Sequence, residues 1–266
     1  MTKIFNDIQK NKDQAVNKYT ELFDGVKIKN SIVSEEEIKE ASALVPEKLR
    51  DAIQLAKRNI HKFHEAQQTS TVFVETTQGV SCWQEKRPIQ KVGLYIPGGT
   101  APLFSTVLML AVPAQIAGCK EIVLCSPPNK EGKIHPAILY AATLCGVTKI
   151  IKVGGIQAIA AYTFGTENIP KVYKIFGPGN QYVTVAKQLA TKYGVAIDMP
   201  AGPSELLVVA DDAAKASYVA SDLLSQAEHG ADSQVLLVST SKKMLAEVSD
   251  EIQKQLLALP RAEIAQ

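Results

Sequence analysis

From Val92 onward, short apolar runs alternate with helical segments, and this rhythm constrains the fold more than any other feature. The runs predict strands over 92–96, 121–125, 148–153, 172–176, 205–209 and 234–239. The spacing of apolar residues between and after them predicts helices over 103–117, 136–145, 157–164, 181–193, 213–228 and 242–257. Short connections between strands and crossover helices specify a parallel sheet with helices on both faces, so we predict an α/β fold.

The elements after residue 204 form a single strand–helix–strand–helix unit. Such a unit is a poor sheet by itself, because its apolar faces need more strands to cover them. Either the segment before Val92 or residues beyond Gln266 would have to supply those strands. The two strands at 205–209 and 234–239 are therefore expected to present an exposed edge.

The segment before Val92 has the pattern of helices followed by a small strand pair. Apolar residues at helical spacing begin at Ile4, and Ser34 followed by Glu37 forms a capping box, in which each side chain satisfies a free backbone donor. Pro46 opens a further helix. Alternating residues at 71–75 and 80–85 around a glycine predict a hairpin.

Composition excludes several classes of protein. The 266 residues carry a formal charge of +2, are 46% hydrophobic and 21% charged, and scatter their basic residues without a run of one sign. Neither a nucleic acid nor a membrane surface is therefore expected as a partner. No window approaches the run of about 20 apolar residues that a spanning helix needs. A polar start and four cysteines without a CxxC pair favour a reduced, cytoplasmic protein.

Three glycine-bearing turns follow predicted strands, at 95–102, 153–158 and 176–182. Ligands of open parallel sheets sit beyond the carboxyl ends of the strands, where glycine lets the backbone approach a phosphate closely. The other interpretation is that glycine and proline simply punctuate tight turns. No turn matches GxGxxG, and the strand at 121–125 is not followed by the acidic residue that usually binds ribose. Any dinucleotide would thus be held in a different way.

The end of the helix predicted at 213–228 carries the strongest candidate for a metal site. Gln226 and His229 are three residues apart, so both project from one face and could offer an amide oxygen and an imidazole nitrogen to one metal ion. Glu228 would support such a site from outside. The alternative is a histidine stabilised by the helix dipole. We interpret the cluster His61, His64 and Glu65 as a solvated helix face, and His135 as a surface residue.

Five longer stretches resemble the histidinol dehydrogenase family. They are VGLYIPGGTAPLFSTVLMLAVPAQIAGC, VGGIQAIAA, KIFGPGNQYV, DMPAGPSE and SDLLSQAEHGADSQ, in that order along the chain. The resemblance runs from about Ile4 to Gln266. It implies a fold similar to that of aldehyde dehydrogenases, with two Rossmann-like parallel-sheet domains, the second incomplete, and an amino-terminal helical segment.

The resemblance also implies an activity and its residues. Members of the family oxidise L-histidinol to L-histidine with NAD through an aldehyde-level intermediate, and they are zinc-dependent homodimers. By resemblance, NAD contacts fall on Tyr95, Gln157 and Asn180. Ser204 would contact histidinol, and Gln226 and His229 would bind zinc and lie against the substrate.

The family's domain plan implies an amino-terminal helical segment at 1–25 and an inserted NAD-binding domain at 95–203. Residues 26–94 and 204–266 would together form a discontinuous α/β domain. Family members extend past the equivalent of Gln266 and start before that of Ile4. The Glu–His pair for proton transfer and two further zinc ligands are expected beyond Gln266, so no catalytic residue is assigned here and the chain alone is expected to be inactive. The alternatives are an NAD-binding module or a structural fragment without catalysis; an enzyme with a cysteine nucleophile ranks last.

Overall fold

The computed structural model describes residues 1–98, 102–200, 204–229, 233–259 and 262–265. The chain divides into two compact units, Met1–Pro200 and Ala201–Gln266. The helices of the first unit are α1 (Thr2–Asp24), α2 (Glu35–Leu44), α3 (Glu47–Glu65), α4 (Phe104–Ile116), α5 (Pro136–Leu144), α6 (Gly155–Phe164) and α7 (Gln181–Thr191). Its strands are β1 (Val72–Thr77), β2 (Val80–Gln84), β3 (Lys91–Tyr95), β4 (Glu121–Cys125), β5 (Lys149–Ile151), β6 (Lys174–Phe176) and β7 (Ala196–Ile197).

A parallel sheet of five strands, in the order β5-β4-β3-β6-β7, organises the first unit. The chain starts at β3, builds outward to β5 on one side, and then crosses back to β6 on the other side. The direction of winding therefore reverses between β3 and β6, which are direct neighbours. In open α/β sheets, ligands bind at the carboxyl ends of the strands at such a reversal.

Both faces of this sheet are covered. One core contains Phe5 of α1, Tyr162 of α6 and Val183 of α7, and the other contains Ile53 of α3 and Leu108 of α4, all of them buried. Burial on both faces explains why β3 and β4 are apolar nearly throughout instead of alternating. The predicted α/β class with helices on both faces is confirmed.

The predicted start of α2 is also confirmed. The Ser34 hydroxyl accepts a hydrogen bond from the Glu37 backbone N–H at 3.2 Å, and the Glu37 carboxylate accepts one from the Ser34 N–H at 2.9 Å. The same carboxylate lies 2.8 Å from Nζ of Lys152, which follows β5. The cap thereby joins the helix start to a strand end of the sheet.

The predicted hairpin is present as β1 and β2, paired antiparallel. Every residue of both strands is exposed, including large apolar side chains. Phe73 and Trp83 are directly opposite each other in the register, with exposed fractions of 66% and 65%. Neither face of this hairpin is therefore covered.

The second unit contains β8 (Glu205–Ala210), α8 (Ala216–Ala227), β9 (Gln234–Ser239), α9 (Lys242–Leu256) and α10 (Ala262–Ala265). Strands β8 and β9 pair in parallel, and the two longer helices form a small core around Leu223 and Val248. The other face of the strand pair is exposed at Leu207 and Val209, so the exposure extends beyond the strand edge that the sequence predicted.

The differences from the predicted elements are small and have local causes. Strand β7 was not predicted, because its two residues are too few to show a pattern. Helix α6 begins at Gly155 instead of residue 157, since Gly154 is the N-cap and glycine carries no signal of periodicity. The division into 1–25, 26–94 with 204–266, and 95–203 remains a prediction. Within the described ranges, none of the helices is both long and apolar enough to cross a membrane.

Candidate functional site

The candidate site is the carboxyl edge of the sheet between β3 and β6. Strand β3 ends at Tyr95 and β6 ends at Phe176, and a turn rich in glycine and proline follows each strand. The turn after β5 contributes two more glycines to the same edge, since parallel strands all end on one side. The sequence predicted these turns, and the order of the strands places the starts of two of them at the reversal of winding. Residues 99–101 of the turn after β3 lie outside the described residues.

Tyr95 connects two of these turns. It is 4% exposed, and its hydroxyl oxygen accepts a hydrogen bond at 3.1 Å from the backbone N–H of Gly155, the first residue of α6. Burial raises the pKa of Tyr95 to about 12, so the hydroxyl keeps its proton at neutral pH. The side chain thus ties the end of β3 to the start of α6.

Gln157 lies fully buried in the first turn of α6. Its Nε2 donates a hydrogen bond at 3.1 Å to Oδ2 of Asp24, the last residue of α1. Its Oε1 is buried and has no hydrogen-bond partner within the described part of the chain. A buried acceptor without a donor is costly, so a donor that reached this oxygen would stabilise the edge of the sheet.

Asp24 was missed by the sequence reasoning. Burial raises the pKa of its carboxyl group, and the hydrogen bond from Gln157 partly opposes that shift. A signal for it was present, because an acidic residue at the carboxyl end of a helix lies at the unfavourable end of the helix dipole. A carboxylate in such a position suggests a role outside its own helix.

Asn180 stands at the start of α7 with its side chain exposed. Its Oδ1 accepts a hydrogen bond at 3.1 Å from the backbone N–H of Val183. Asn180 is therefore the N-cap of α7. Of the three residues assigned to NAD by resemblance, Asn180 alone is exposed, while Tyr95 and Gln157 lie beneath the turns.

Close packing between turns accounts for several of the glycines. A Cβ atom on Gly98 would lie 2.5 Å from Cγ of Pro127, and one on Gly154 would lie 2.4 Å from Cβ of the same proline. Pro127 follows β4, so it is packed between the turns of the two neighbouring strands. The interpretation that glycine and proline simply form tight turns therefore has a structural basis here. Close packing of these glycines does not exclude the close approach of a ligand to the same backbone.

Ser204, Gln226 and His229 belong to the second unit. Ser204 is exposed directly before β8, and His229 is exposed just after α8. The Gln226 Nε2 atom is buried and has no hydrogen-bond partner among the residues the structure describes. The two ends of an amide side chain are exchangeable, so this buried end can equally present the oxygen that a metal would bind. The glycine that ends the predicted helix, Gly230, lies outside the described residues.

The other polar clusters are structural. His61 lies 3.6 Å from Glu65 on an exposed face of α3, and His135 caps α5 by accepting from the Ala137 N–H at 3.2 Å. In the ranges the structure describes, no group of three or more histidine, cysteine or acidic residues could hold a metal ion.

All four cysteines are unpaired, as predicted. Burial raises the pKa of Cys125 to about 12 and that of Cys145 to about 11, so both remain thiols at neutral pH. A thiol that does not ionise is a poor nucleophile, which argues against an enzyme with either of these cysteines as its nucleophile.

A parallel sheet covered by helices on both faces, with glycine-bearing turns at its reversal of winding, defines the class of doubly wound α/β proteins, which bind their ligands at that reversal. Residues 1–266 match the family model described as histidinol dehydrogenase. The chain belongs to the histidinol dehydrogenase family.

Individual relatives agree with this assignment. The chain is 62% identical over 262 residues to a histidinol dehydrogenase of Bacteroides thetaiotaomicron, covering 98% of this chain and 61% of the relative. It is 57% identical to a crystal structure of histidinol dehydrogenase from Elizabethkingia anophelis, with a TM-score of 0.96, covering 99% of this chain and 61% of that one. The chain therefore spans 61% of the length of these relatives.

A more distant similarity concerns the fold alone. A crystal structure of a putative aldehyde dehydrogenase from Burkholderia cenocepacia matches with a TM-score of 0.56 at 17% identity, covering 83% of this chain and 48% of that chain. The fold similarity to aldehyde dehydrogenases that the sequence implied is thereby confirmed.

Proposed function

We propose that the protein of which these residues are part oxidises L-histidinol to L-histidine with NAD, through an aldehyde-level intermediate, in the final steps of histidine biosynthesis. The observation that carries this proposal is the match to the histidinol dehydrogenase family over residues 1–266. The four unpaired cysteines support a cytoplasmic location. A homodimer is proposed for the full-length protein.

NAD is the proposed cofactor, and its binding residues are Tyr95, Gln157 and Asn180. Two observations support a dinucleotide at this edge: glycine-bearing turns follow the two strands at the reversal of winding, and the buried Gln157 Oε1 has no donor among the residues that the structure describes. The nicotinamide, when bound, accepts the hydride. The chain contributes orientation, because Tyr95 and Asp24 fix the first turn of α6 from two directions.

Zinc is proposed as the metal, with Gln226 and His229 as ligands and Ser204 as a contact to histidinol. The buried amide end of Gln226, which has no partner within the described ranges, fits this role, and imidazole is a common zinc ligand. Bound zinc would orient the substrate's amino and imidazole nitrogens. Two ligands do not close a zinc site, so the proposal includes the further ligands expected beyond Gln266.

Each oxidation also needs a base close to the substrate oxygen, to take the hydroxyl proton as the hydride leaves. We place that base in the Glu–His pair expected beyond Gln266. The 266-residue chain alone is accordingly expected to bind NAD and to form no NADH from histidinol.

The second candidate function is an NAD-binding module without catalysis. One observation favours it: the three proposed NAD contacts all lie in the first unit, which has its own two-sided core. NAD affinity in the 266-residue chain together with a lack of turnover in the full-length protein would support this candidate over the enzyme.

The test combines binding and turnover. NAD binding to the 266-residue chain would be followed by saturation-transfer NMR, with the Bacteroides thetaiotaomicron relative as positive control. NADH formation from L-histidinol, with zinc added, would be measured in parallel, with L-leucinol as an amino alcohol lacking the imidazole. Binding without turnover is the expected result for the chain. Turnover that His229→Ala abolishes would show that the proton-transfer group lies within residues 1–266, and failure to bind NAD would contradict the cofactor proposal.

A further inference from the structure

A partly buried ion pair binds the backbone of one residue in the turn after β6. Lys187 of α7 pairs with Asp198, which follows β7, and their side chains are 5% and 28% exposed. Lys187 Nζ donates a hydrogen bond at 2.7 Å to the carbonyl oxygen of Gly177. Asp198 Oδ2 accepts one at 2.8 Å from the N–H of the same glycine. The pair therefore binds both backbone polar groups of Gly177 in one closed ring.

The backbone at Gly177 needs this support. Its φ of 123° lies in a region that favours glycine, and a Cβ atom there would lie 2.1 Å from the carbonyl oxygen of Tyr95. Strand β6 ends at the preceding residue, so the sheet ladder does not hold this peptide. The ion pair supplies the missing donor and acceptor at a buried position.

Stability is a weak reason for placing charges here. A buried ion pair repays its desolvation only in good geometry, and an apolar pair of similar volume is often as stable. An apolar pair, however, forms no hydrogen bonds to the N–H and carbonyl oxygen of Gly177, so it cannot fix the orientation of that backbone. The backbone N–H of Asp198 also bonds to the Ile175 carbonyl at 3.1 Å, so the carboxylate is itself anchored to β6.

We propose that Lys187 and Asp198 are positioning residues, which hold the turn at 177–180 in the conformation that binds the dinucleotide. Asn180 closes this turn and caps α7, so the orientation of the Gly177 peptide sets where the Asn180 side chain and the start of α7 point. This inference rests on the proposed NAD site at the reversal of winding.

The test compares Lys187→Met with a matched control, Lys152→Met. Lys152 forms an ion pair of nearly equal burial with Glu37, at 2.8 Å and with exposed fractions of 9% and 29%, but it binds an α2 side chain and not the turn at 177–180. Both variants are expected to lose similar stability in urea unfolding. Lys187→Met alone should weaken NAD binding by about tenfold, the loss expected if the turn at 177–180 then holds its binding conformation about one tenth of the time. It alone should also speed amide exchange at 177–183.

A double variant, Lys187→Met with Asp198→Leu, separates positioning from stability. It removes both charges, so stability should recover while NAD affinity stays low. Wild-type affinity in the single and double variants would overturn the inference and leave the proposed function standing. An equal loss of affinity in Lys152→Met would also overturn it, because the effect would then be general destabilisation. Lack of NAD binding by the unchanged chain would overturn the proposed cofactor and this inference together.

Discussion

Gly177 and Gly194 both have positive φ, at 123° and 78°, but their surroundings differ. A Cβ atom on Gly177 would collide with the Tyr95 carbonyl, whereas one on Gly194 would meet no atom within 4 Å. Gly194→Ala is thus expected to lower the free energy of unfolding by about 1 kcal/mol, from backbone strain alone. Gly177→Ala adds a steric clash and should cost about 3 kcal/mol or more. Urea unfolding of both variants measures the difference, and equal losses would contradict the geometry of the turn.

The carboxyl group of Asp24 gives a prediction about pH. Burial raises its folded-state pKa above the ordinary value of 3.8, so its contribution to stability is fully present below that value and is lost as the pH rises through the folded pKa. Asp24→Asn removes this titration and can still accept the hydrogen bond from Gln157. The free energy of unfolding of the variant, minus that of the unchanged chain, should therefore increase from pH 4 upward in urea titrations.

Asp7 provides a control of opposite sign. The hydrogen bond from Lys18 lowers the pKa of this half-buried carboxyl to about 2, so its contribution is present above the ordinary value of 3.8 and is lost as the pH falls toward 2. The loss in free energy of unfolding caused by Asp7→Asn should accordingly become smaller at acid pH. For Asp24→Asn, a difference in free energy of unfolding from the unchanged chain that stays constant with pH would indicate that Asp24 has an ordinary pKa in the folded chain.

Residue roles were harder to predict from sequence than residue types. The glycines of the turns were recognised, but Asp24, Pro127, Lys187 and Asp198 were not, because each acts through contacts between segments far apart in the chain. Spacing along a helix or strand does not carry such information. For Lys187 the sequence does contain a signal, because a lysine interrupts the otherwise apolar buried face of α7.

Among the elements, α2 has the most completely predicted start. Ser34→Ala removes the acceptor of the Glu37 N–H and should lower the free energy of unfolding by about 1 kcal/mol. Ser34→Thr retains a hydroxyl acceptor and serves as the control, with a smaller loss. Urea unfolding monitored by far-ultraviolet circular dichroism compares the two, and an equal effect would show that the hydroxyl does not contribute.

Elements marked by a clear apolar run were predicted well, and elements without one were not. Strand β4 and strand β9 have the predicted bounds, since apolar runs flanked by polar residues mark their ends clearly. Strand β7 has two residues and carries no pattern of its own. It exists because β6 offers a free edge, which is a property of the sheet and not of the local sequence.

On the scale of the whole molecule, the two compact units should differ in local stability. The sheet of the first unit is covered on both faces, whereas β8 and β9 are covered on one face and both are edge strands. Less buried apolar area means a lower free energy of opening. Amides of β8 and β9 should exchange faster than those of β3 and β4 in hydrogen exchange followed by mass spectrometry. Equal protection would show that the second unit opens only when the whole chain unfolds.

The exposed hairpin determines what an optical experiment on this chain can detect. The sequence contains a single tryptophan, Trp83, and it lies on β2 with 65% of its surface exposed. Its emission should be that of an indole in water, and should change little when the chain unfolds, because the indole is already exposed to solvent. The same residue can report the binding of a partner to the hairpin. Any surface that covers Trp83 would remove it from water and shift its emission to shorter wavelength.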